Sequence, residues 1–297
     1  MSASVEAPRA KAADLGAVAV AAVVFATSGP VAKVIDSVHP LSVACGRTGL
    51  AALALFLVDG PAIARAWRVA PRAEWGRAIA AGILLAAHFA AYLGGLATTS
   101  LAAASALVSL EPVAVVTIAA VVQRIHPSSS ELLGVLVATV GAIVVGSAAG
   151  HGEHTIFGDV LVVAAVFLYG FYVAVARGVS PVIPARAYAS FVYATACAVL
   201  LPVIAVLPAA HRIPSRGDVV RVVALAIFPT LVGHTLIQRA ASRVRPAVLA
   251  LVSPGETVGS ILIGACMLHM PPSPLEWAGI MVVLLGTTLV ARSARSD

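Results

Sequence analysis

Long runs of residues without a formal charge recur along this chain, and they constrain its fold more than any motif does. Leu15 to Ala32 spans 18 residues, Leu132 to Gly152 spans 21, and Thr257 to Leu275 spans 19. A helix needs roughly 20 apolar residues to cross a hydrocarbon core of about 30 Å, and it satisfies its own backbone hydrogen bonds in lipid. The runs therefore predict several membrane-spanning helices.

The composition supports this class and excludes others. Hydrophobic residues make up 60% of the chain and charged residues 11%, whereas soluble domains have about 45–50% and about 25%. No basic stretch is interleaved with aromatic residues, so a nucleic-acid surface is not indicated. Cys45, Cys197 and Cys266 lie inside apolar runs without CxxC spacing, which predicts small buried hydrophobic residues rather than disulfides or a zinc site.

The predicted fold is an all-α polytopic membrane protein with short polar tails at residues 1–14 and 293–297. Polar interruptions divide the apolar sequence into helices, and Thr98-Thr99-Ser100 breaks the longest run. The interruptions predict ten membrane helices, α1 to α10, at residues 15–34, 40–58, 77–97, 101–123, 131–149, 156–176, 186–207, 218–239, 246–268 and 275–292.

The distribution of cations predicts the orientation of these helices. Cytoplasmic loops are enriched in Lys and Arg. With the N-terminus inside, 14 of the 19 Lys and Arg residues lie on the cytoplasmic side. The loop before α8, with Arg212, Arg216 and Arg221, is the discordant segment. Both termini are therefore predicted to be cytoplasmic.

The second half of the chain repeats the first. Residues 111 to 145 share 11 identities in 35 positions with the segment 145 residues further on, including Glu111 with Glu256 and Gly134 with Gly279. This register predicts two repeats of five helices. Because five is odd, the second repeat must enter the bilayer from the opposite side. Inverted repeats commonly place a substrate path at their interface near the midplane.

Several short motifs in a fixed order carry a family resemblance. They are Phe25 to Lys33 (FATSGPVAK) in α1, Pro40 and Arg47 in α2, Leu110 to Val113 (LEPV) in α4, and Gly158-Asp159 before α6. In order, spacing and duplication they resemble the EamA family of the drug/metabolite transporter superfamily. In α9 this sequence has Pro254-Gly255-Glu256 where members of the family often have a second Glu-Pro.

The resemblance implies a first EamA repeat at 15–149 and a second at 156–292, related by two-fold pseudosymmetry. It also implies a transporter that moves small metabolites, often amino acids or related compounds, outward across the bacterial inner membrane. The chain has no nucleophile elbow or Walker motif, so neither an enzyme nor an ATP-driven pump is predicted, and no cofactor. An integral-membrane enzyme built around His88 and His234, or a non-transporting assembly partner, are the alternatives.

Glu111 and Glu256 are the strongest candidates for a functional role. Each lies about ten residues into its helix, which is roughly 15 Å at 1.5 Å per residue and close to the midplane. A carboxylate there costs at least about 2.5 kcal/mol, so it is retained for a use or for a partner. Proton coupling is one interpretation. The other is a packing role beside the carbonyls that Pro112 and Pro254 leave without a donor.

Arg47 is the candidate for binding a substrate carboxylate, with an ion pair to a neighbouring helix as its alternative. His88 with Tyr92 in α3, and His234 with Gln238 in α8, each lie one helical turn apart and so share a face. They are predicted to line a cavity or, alternatively, to form interhelical hydrogen bonds. The full set of candidate substrate-binding residues is Arg47, His88, Tyr92, Tyr169, His234 and Gln238.

Other polar, glycine and proline residues have more structural interpretations. Lys33 and Arg177 end α1 and α6, where they are expected to reach lipid headgroups rather than substrate. Pro30, Pro112 and Pro254 are expected to break their helices. The glycines at 134, 141, 279 and 286 predict smooth faces on α5 and α10, either for internal packing or for a homodimer. His151, Glu153 and His154 lack zinc-protease spacing, so no metal is predicted.

Overall fold

The computed structural model describes residues 12–99, 101–148, 155–179, 183–210, 213–268 and 273–296, and all regular elements there are helices. Three helices are interrupted: α1 into Ala12–Phe25 and Ser28–Lys33, α4 into Leu101–Val108 and Glu111–Gln123, and α9 into Pro246–Ala250 and Val252–Leu268. The other seven are α2 Pro40–Val69, α3 Arg72–Thr98, α5 Ser129–Ala148, α6 Ile156–Arg177, α7 Ala185–Val206, α8 Arg216–Ala241 and α10 Pro274–Ser296.

The helices have the length and composition of membrane spans. Among the described residues, nine are long and apolar enough to cross a bilayer, and Ser129–Val145 in α5 is a shorter apolar helix. Large apolar side chains such as Leu57 and Val121 point outward from the bundle. Lipid is as apolar as these side chains, so their exposure costs nothing in a membrane. The chain is a multi-pass membrane protein.

Two helices extend well beyond their predicted bounds. The prediction ended α2 at residue 58 and began α3 at 77, whereas the structure continues α2 to Val69 and begins α3 at Arg72. A kink at Asp59 and Pro61 divides α2. Beyond it, Trp67 is buried and donates from Nε1 to the carbonyl oxygen of Ala187, at 2.8 Å. The charged residues therefore do not mark the helix end.

The contacts between helices are related by the repeat. α2 packs against α7 and α5 against α10, so that each helix meets its equivalent in the other repeat. α3 packs against α6, and α8 packs against α1 in the corresponding way. This pattern is the one that two-fold pseudosymmetry requires.

The glycine faces of α5 and α10 are turned toward each other. A Cβ atom on Gly134 would lie 2.8 Å from the carbonyl oxygen of Gly286, and one on Gly141 would lie 2.9 Å from that of Gly279. The backbones therefore touch where side chains are missing. These glycines serve packing within one chain, and a homodimer, which stays a prediction, would need another surface.

Each interruption of a helix precedes one of the three named prolines. The turn at Ala26 and Thr27 comes before Pro30, the turn at 109–110 before Pro112, and the turn at Leu251 before Pro254. Proline fits the first turn of a helix, because its missing N–H has no partner to lose there. The chain therefore restarts a helix at each proline, deep within the apolar bundle.

Candidate functional site

A cavity in the middle of the bundle brings together side chains from seven helices. It has a volume of about 30 Å³, which is room for one or two water molecules. A metabolite does not fit in this conformation, so binding requires the helices to move. We call it the central cavity, and it is lined by Phe25, Ser28, Arg47, His88, Phe89, Tyr92, Val108, Glu111, Tyr169, His234 and Glu256.

Arg47 is the buried cation of this cavity, with 1% of its surface exposed. Its Nε donates to Thr230 Oγ1 at 2.7 Å, and its guanidinium carbon lies 4.0 Å from the centroid of the Phe89 ring. Nη1 is buried without a hydrogen-bond partner, and none of the ion pairs among the described residues includes Arg47. A buried guanidinium with an unused donor is suited to bind an anion.

The local winding of α8 positions the partner of Arg47. Residues Ala226–His234 form a π-helix, which contains Pro229. Thr230 Oγ1 donates to the carbonyl oxygen of Leu225 at 2.8 Å, which is the carbonyl that would bond residue 229 in an α-helix. Such π segments often occur at functional sites. Here the segment turns Thr230 toward Arg47 and ends at His234, in the wall of the cavity.

His88 and His234 lie at the centre of an aromatic cluster. Their ring centroids are 6.5 Å apart, and the Tyr169 ring lies 5.4 Å from His88 and 6.3 Å from His234. His88 Nδ1 donates to the carbonyl oxygen of Ala165 at 2.9 Å, so this ring is tied to α6. His234 Nδ1 is buried without a partner. His234 is therefore the histidine with free hydrogen-bonding capacity.

Gln238 lies apart from the other candidates. It is one turn beyond His234 on α8, and its Nε2 donates to the hydroxyl of Tyr172 at 2.7 Å. It does not line the central cavity but a separate one of about 120 Å³, between α6, α7 and α8. We call this cavity the inner vestibule, after the cytoplasmic side on which the cation distribution predicts it to lie, and the name outer vestibule is used in the same sense. The inner vestibule is lined by Ala176, Val179, Ile183, Pro184, Ala185, Tyr188, Gln238, Arg239, Ser242 and Arg243.

Both midplane glutamates line the central cavity, Glu111 from α4 and Glu256 from α9. Glu111 is 7% exposed, and Glu256 is partly buried. The carbonyl oxygen of Val108, which Pro112 leaves without its helical donor, accepts instead from Ser253 Oγ at 2.9 Å. Capping that carbonyl is therefore not the role of either carboxylate.

Lys33 and Arg177 occupy equivalent places in the two repeats and make equivalent contacts. Lys33 Nζ donates to the carbonyl oxygens of Leu96 and Thr99, at 2.8 and 2.9 Å, at the end of α3. Arg177 Nη1 donates to the carbonyl oxygens of Ala241 and Val244, at the end of α8. Instead of reaching headgroups, each cation caps the third helix of its own repeat, where the helix dipole favours positive charge.

A third cavity, the outer vestibule, lies beside Lys33 between α1, α2 and α3. It has a volume of about 160 Å³. Its wall is formed by Ala32, Lys33, Ile35, Val38, Pro40, Val43, Leu93, Leu96 and Ala97. The central cavity thus lies between two vestibules, with Tyr92 next to Leu93 on one side and His234 one turn from Gln238 on the other.

Four residues of the site escaped the sequence analysis. Phe25, Phe89 and Val108 are apolar residues in apolar helices, and such residues carry no signal of their own. Thr230 follows Pro229, and this pairing of a hydroxyl with a proline could have identified it. Among the described residues no group of three or more His, Cys, Asp or Glu could hold a metal ion. His151, Glu153 and His154 lie outside the described residues.

Comparison with known proteins defines the class. The sequence matches the EamA-like transporter family over residues 14–147 and 156–292. The chain belongs to this family, and it is a membrane transporter of the drug/metabolite type. A solved structure described as "Crystal structure of protein" superimposes with a TM-score of 0.76 at 19% identity, over 96% of this chain and 99% of that one, and so shares the fold. No curated protein matches the sequence.

Proposed function

We propose that this protein is a secondary transporter that exports a small metabolite, an amino acid or a related compound, across the bacterial inner membrane. The proposal includes ten spans in two inverted repeats, with both termini in the cytoplasm. The observation that carries it is the unpaired, buried guanidinium of Arg47 in a cavity that also contains two carboxylates. Such a cavity has complementary groups for both charges of a zwitterion.

The substrate's carboxylate binds to Arg47, and its ammonium group faces Glu111 or Glu256. Charge-assisted hydrogen bonds of this kind contribute about 1.5–3 kcal/mol each. The rings of Phe25, Tyr169 and their neighbours surround the rest of the molecule with apolar and weakly polar surface. His234 Nδ1, which has no partner in the empty cavity, is the remaining polar contact.

Alternating access follows from the two vestibules. In the closed conformation, Lys33 holds the end of α3 beside the outer vestibule, and Arg177 holds the end of α8 near the inner one. Release of one cap at a time opens the central cavity to one side of the membrane. The interruptions at Pro30, Pro112 and Pro254 let the helix segments move without stretching regular hydrogen bonds.

The test is a transport screen with matched compounds. The standard amino acids are screened in sealed inverted vesicles that contain the wild-type protein, and the best substrate is then compared with its amide and its deaminated acid. Arg47→Gln should lower accumulation of the two carboxylates about tenfold, which corresponds to about 1.4 kcal/mol, and leave the amide little changed. Arg124→Gln, which removes an exposed cation outside the cavity, is the control.

Two results would contradict the proposal. Equal losses for the acid and the amide would remove Arg47 from carboxylate binding. Chemical turnover of the compound without its movement into the vesicles would favour a membrane enzyme, and absence of both would favour an assembly partner.

A further inference from the structure

The two vestibules are equivalent places in the two repeats. Pro40 of the outer vestibule corresponds to Pro184 of the inner one, 144 residues further on. Ala97 corresponds to Ser242 at a spacing of 145 residues, the spacing that also relates Glu111 to Glu256. Two cavities of common origin can therefore be compared position by position.

Their chemistry differs at five of these positions. Where the inner vestibule has Tyr188, Gln238, Arg239, Ser242 and Arg243, the equivalent residues of the first repeat are Ala44, Leu93, Gly94, Ala97 and Thr98. The outer vestibule is lined by apolar side chains apart from Lys33, whose ammonium group donates to two carbonyl oxygens. Polar and cationic groups are thus concentrated at one end of the path.

Two of the inner groups are buried and unsatisfied. Tyr188 is 2% exposed, and its hydroxyl has no hydrogen-bond partner. Gln238 Oε1 is also buried without a partner, although Nε2 of the same side chain is bonded. A buried polar group without a partner costs about 1–3 kcal/mol. The cost is recovered when a ligand supplies the missing acceptor to Tyr188 and the missing donor to Gln238.

We infer that the inner vestibule is a second binding site for the substrate, specific for its carboxylate group. Arg239 and Arg243 attract the carboxylate, the Tyr188 hydroxyl donates to it, and Gln238 Oε1 accepts from the ammonium group. Within the described part of the chain, the ion pair of Arg243 is a long contact to Asp14, with 3.8 Å between Nη1 and Oδ1. The inference rests on the proposed function, because it assigns the first binding site on the proposed transport path.

A hydrogen bond and a ring contact connect the inner vestibule to the wall of the central cavity. Gln238 Nε2 donates to the Tyr172 hydroxyl, and the Tyr172 ring lies 5.7 Å from the ring of His234. A ligand that donates to Gln238 Oε1 leaves this bond in place, so Gln238 connects the vestibule to Tyr172 and His234. The outer vestibule has Leu93 at this position, so substrate should bind more weakly there.

The experiment measures binding without transport. In a background that lacks Cys45, Cys197 and Cys266, Ser242→Cys is made in the inner vestibule and Ala97→Cys at the equivalent outer position. Each variant, in nanodiscs open on both faces, reacts with sulfonatoethyl methanethiosulfonate in the presence of L-leucine, L-phenylalanine or L-threonine, or of their amides. The acids should slow modification of the Ser242→Cys variant at least fivefold, and the amides should not.

Further variants test the assigned groups. Tyr188→Phe removes one hydroxyl and should raise the concentration needed for half protection about tenfold to a hundredfold, in line with one hydrogen bond to a charged group. Arg239→Gln with Arg243→Gln should abolish protection, whereas Arg124→Gln should leave it intact. Protection at Ala97→Cys should be weaker or absent. Equal protection by acids and amides, or protection that survives loss of both arginines, would overturn the inference.

A lipid phosphate could supply the same anionic chemistry, so the lipid is varied. The measurement is made in phosphatidylcholine and in phosphatidylcholine with one third phosphatidylglycerol. Protection by the amino acids in both supports a substrate site. Protection by phosphatidylglycerol alone, with no effect of the acids, overturns it. Transport is measured separately: transport without protection refutes this site and leaves the proposed function, whereas protection without transport refutes the function.

Discussion

Ser253 Oγ lies 2.9 Å from the carbonyl oxygen of Val108, the carbonyl that Pro112 leaves without a helical donor. Seven residues further along the same face of α9, Ser260 Oγ donates at 2.8 Å to the carbonyl oxygen of Ala26. Lipid offers no alternative donor to such a group. One face of α9 therefore makes the interruptions of α4 and α1 tolerable, directly beside Glu256.

Ser253→Ala should destabilise the folded protein by about 1–2 kcal/mol, because the carbonyl of Val108 is then buried without a donor. The measurement is thermal unfolding of the purified protein in detergent. Thr288→Ala is the control, since that exposed hydroxyl bonds only within α10. An unfolding temperature equal to that of the control would mean that the carbonyl finds another donor.

The sequence revealed the membrane class, the repeat and the family, because lipid demands long uncharged runs and because glycine and proline positions are matched between the repeats. It did not reveal the ends of α2 and α3. Arg65 and Arg68 interrupt the apolar pattern, yet the helix continues past them with Ile63 and Trp67 buried on its inner side. Charged residues end an apolar run in the sequence, whereas the helical hydrogen bonds of α2 continue past them.

The residues of the candidate site could be predicted from the sequence to a similar extent. Arg47, His88 and Glu111 attract attention because polar groups are expensive in a membrane, and they do line one cavity. The spacing of His234 and Gln238 indicates a shared face but not a shared depth. One turn, about 5.4 Å, separates the central cavity from the inner vestibule. The sequence also does not reveal that Ser253 and Ser260 donate to the carbonyls left without a helical donor by Pro112 and Pro30, since serine is common in apolar helices.

Gly286→Ala should destabilise the protein by about 1–3 kcal/mol, because the added methyl group would overlap the backbone of α5. Its Cβ would lie 2.6 Å from the carbonyl oxygen of Gly134. Gly16→Ala is the matched control, since nothing lies within 4 Å of a Cβ there, and alanine favours the helix. Unfolding in detergent gives the difference. Dissociation of a dimer at unchanged stability would instead assign this face to an intermolecular contact.

The orientation is tested with two exposed positions. Ile213 is 92% exposed just before α8, and Ala73 is exposed in the first turn of α3. In a cysteine-free background, Ile213→Cys should react with an impermeant thiol reagent added to intact cells, and Ala73→Cys should react only after lysis. The opposite result would place the inner vestibule outside and reverse the direction proposed for the transporter.

The two histidines should behave differently when the ring is kept and its nitrogens are removed. His88→Phe loses the hydrogen bond to Ala165 and should lower stability by about 1 kcal/mol. His234→Phe loses no bond from Nδ1 and should leave stability near wild type, while transport falls. Unfolding temperature and vesicle uptake, normalised to the amount of protein, separate the two effects. Normal uptake by His234→Phe would exclude a substrate contact there.

Coupling to protons is tested at the two glutamates, because Gln keeps the shape of the side chain and removes its titration. Glu111 is nearly buried and is reached by water only through the cavity, so alternating access would expose it to each side in turn. Glu111→Gln should still exchange substrate down its own gradient, but uptake should no longer respond to an imposed pH gradient. A wild-type pH response in this variant would leave packing between α4 and α9 as its role.

Glu256 provides the comparison, since it lines the same cavity and is a proposed partner of the substrate's ammonium group. Glu256→Gln should keep the pH response while the KM for an amino-acid substrate rises several-fold, because the ammonium group loses a charged partner. The KM for the deaminated acid should not change. Loss of the pH response from Glu256→Gln, with Glu111→Gln unaffected, would move the coupling role to the second repeat.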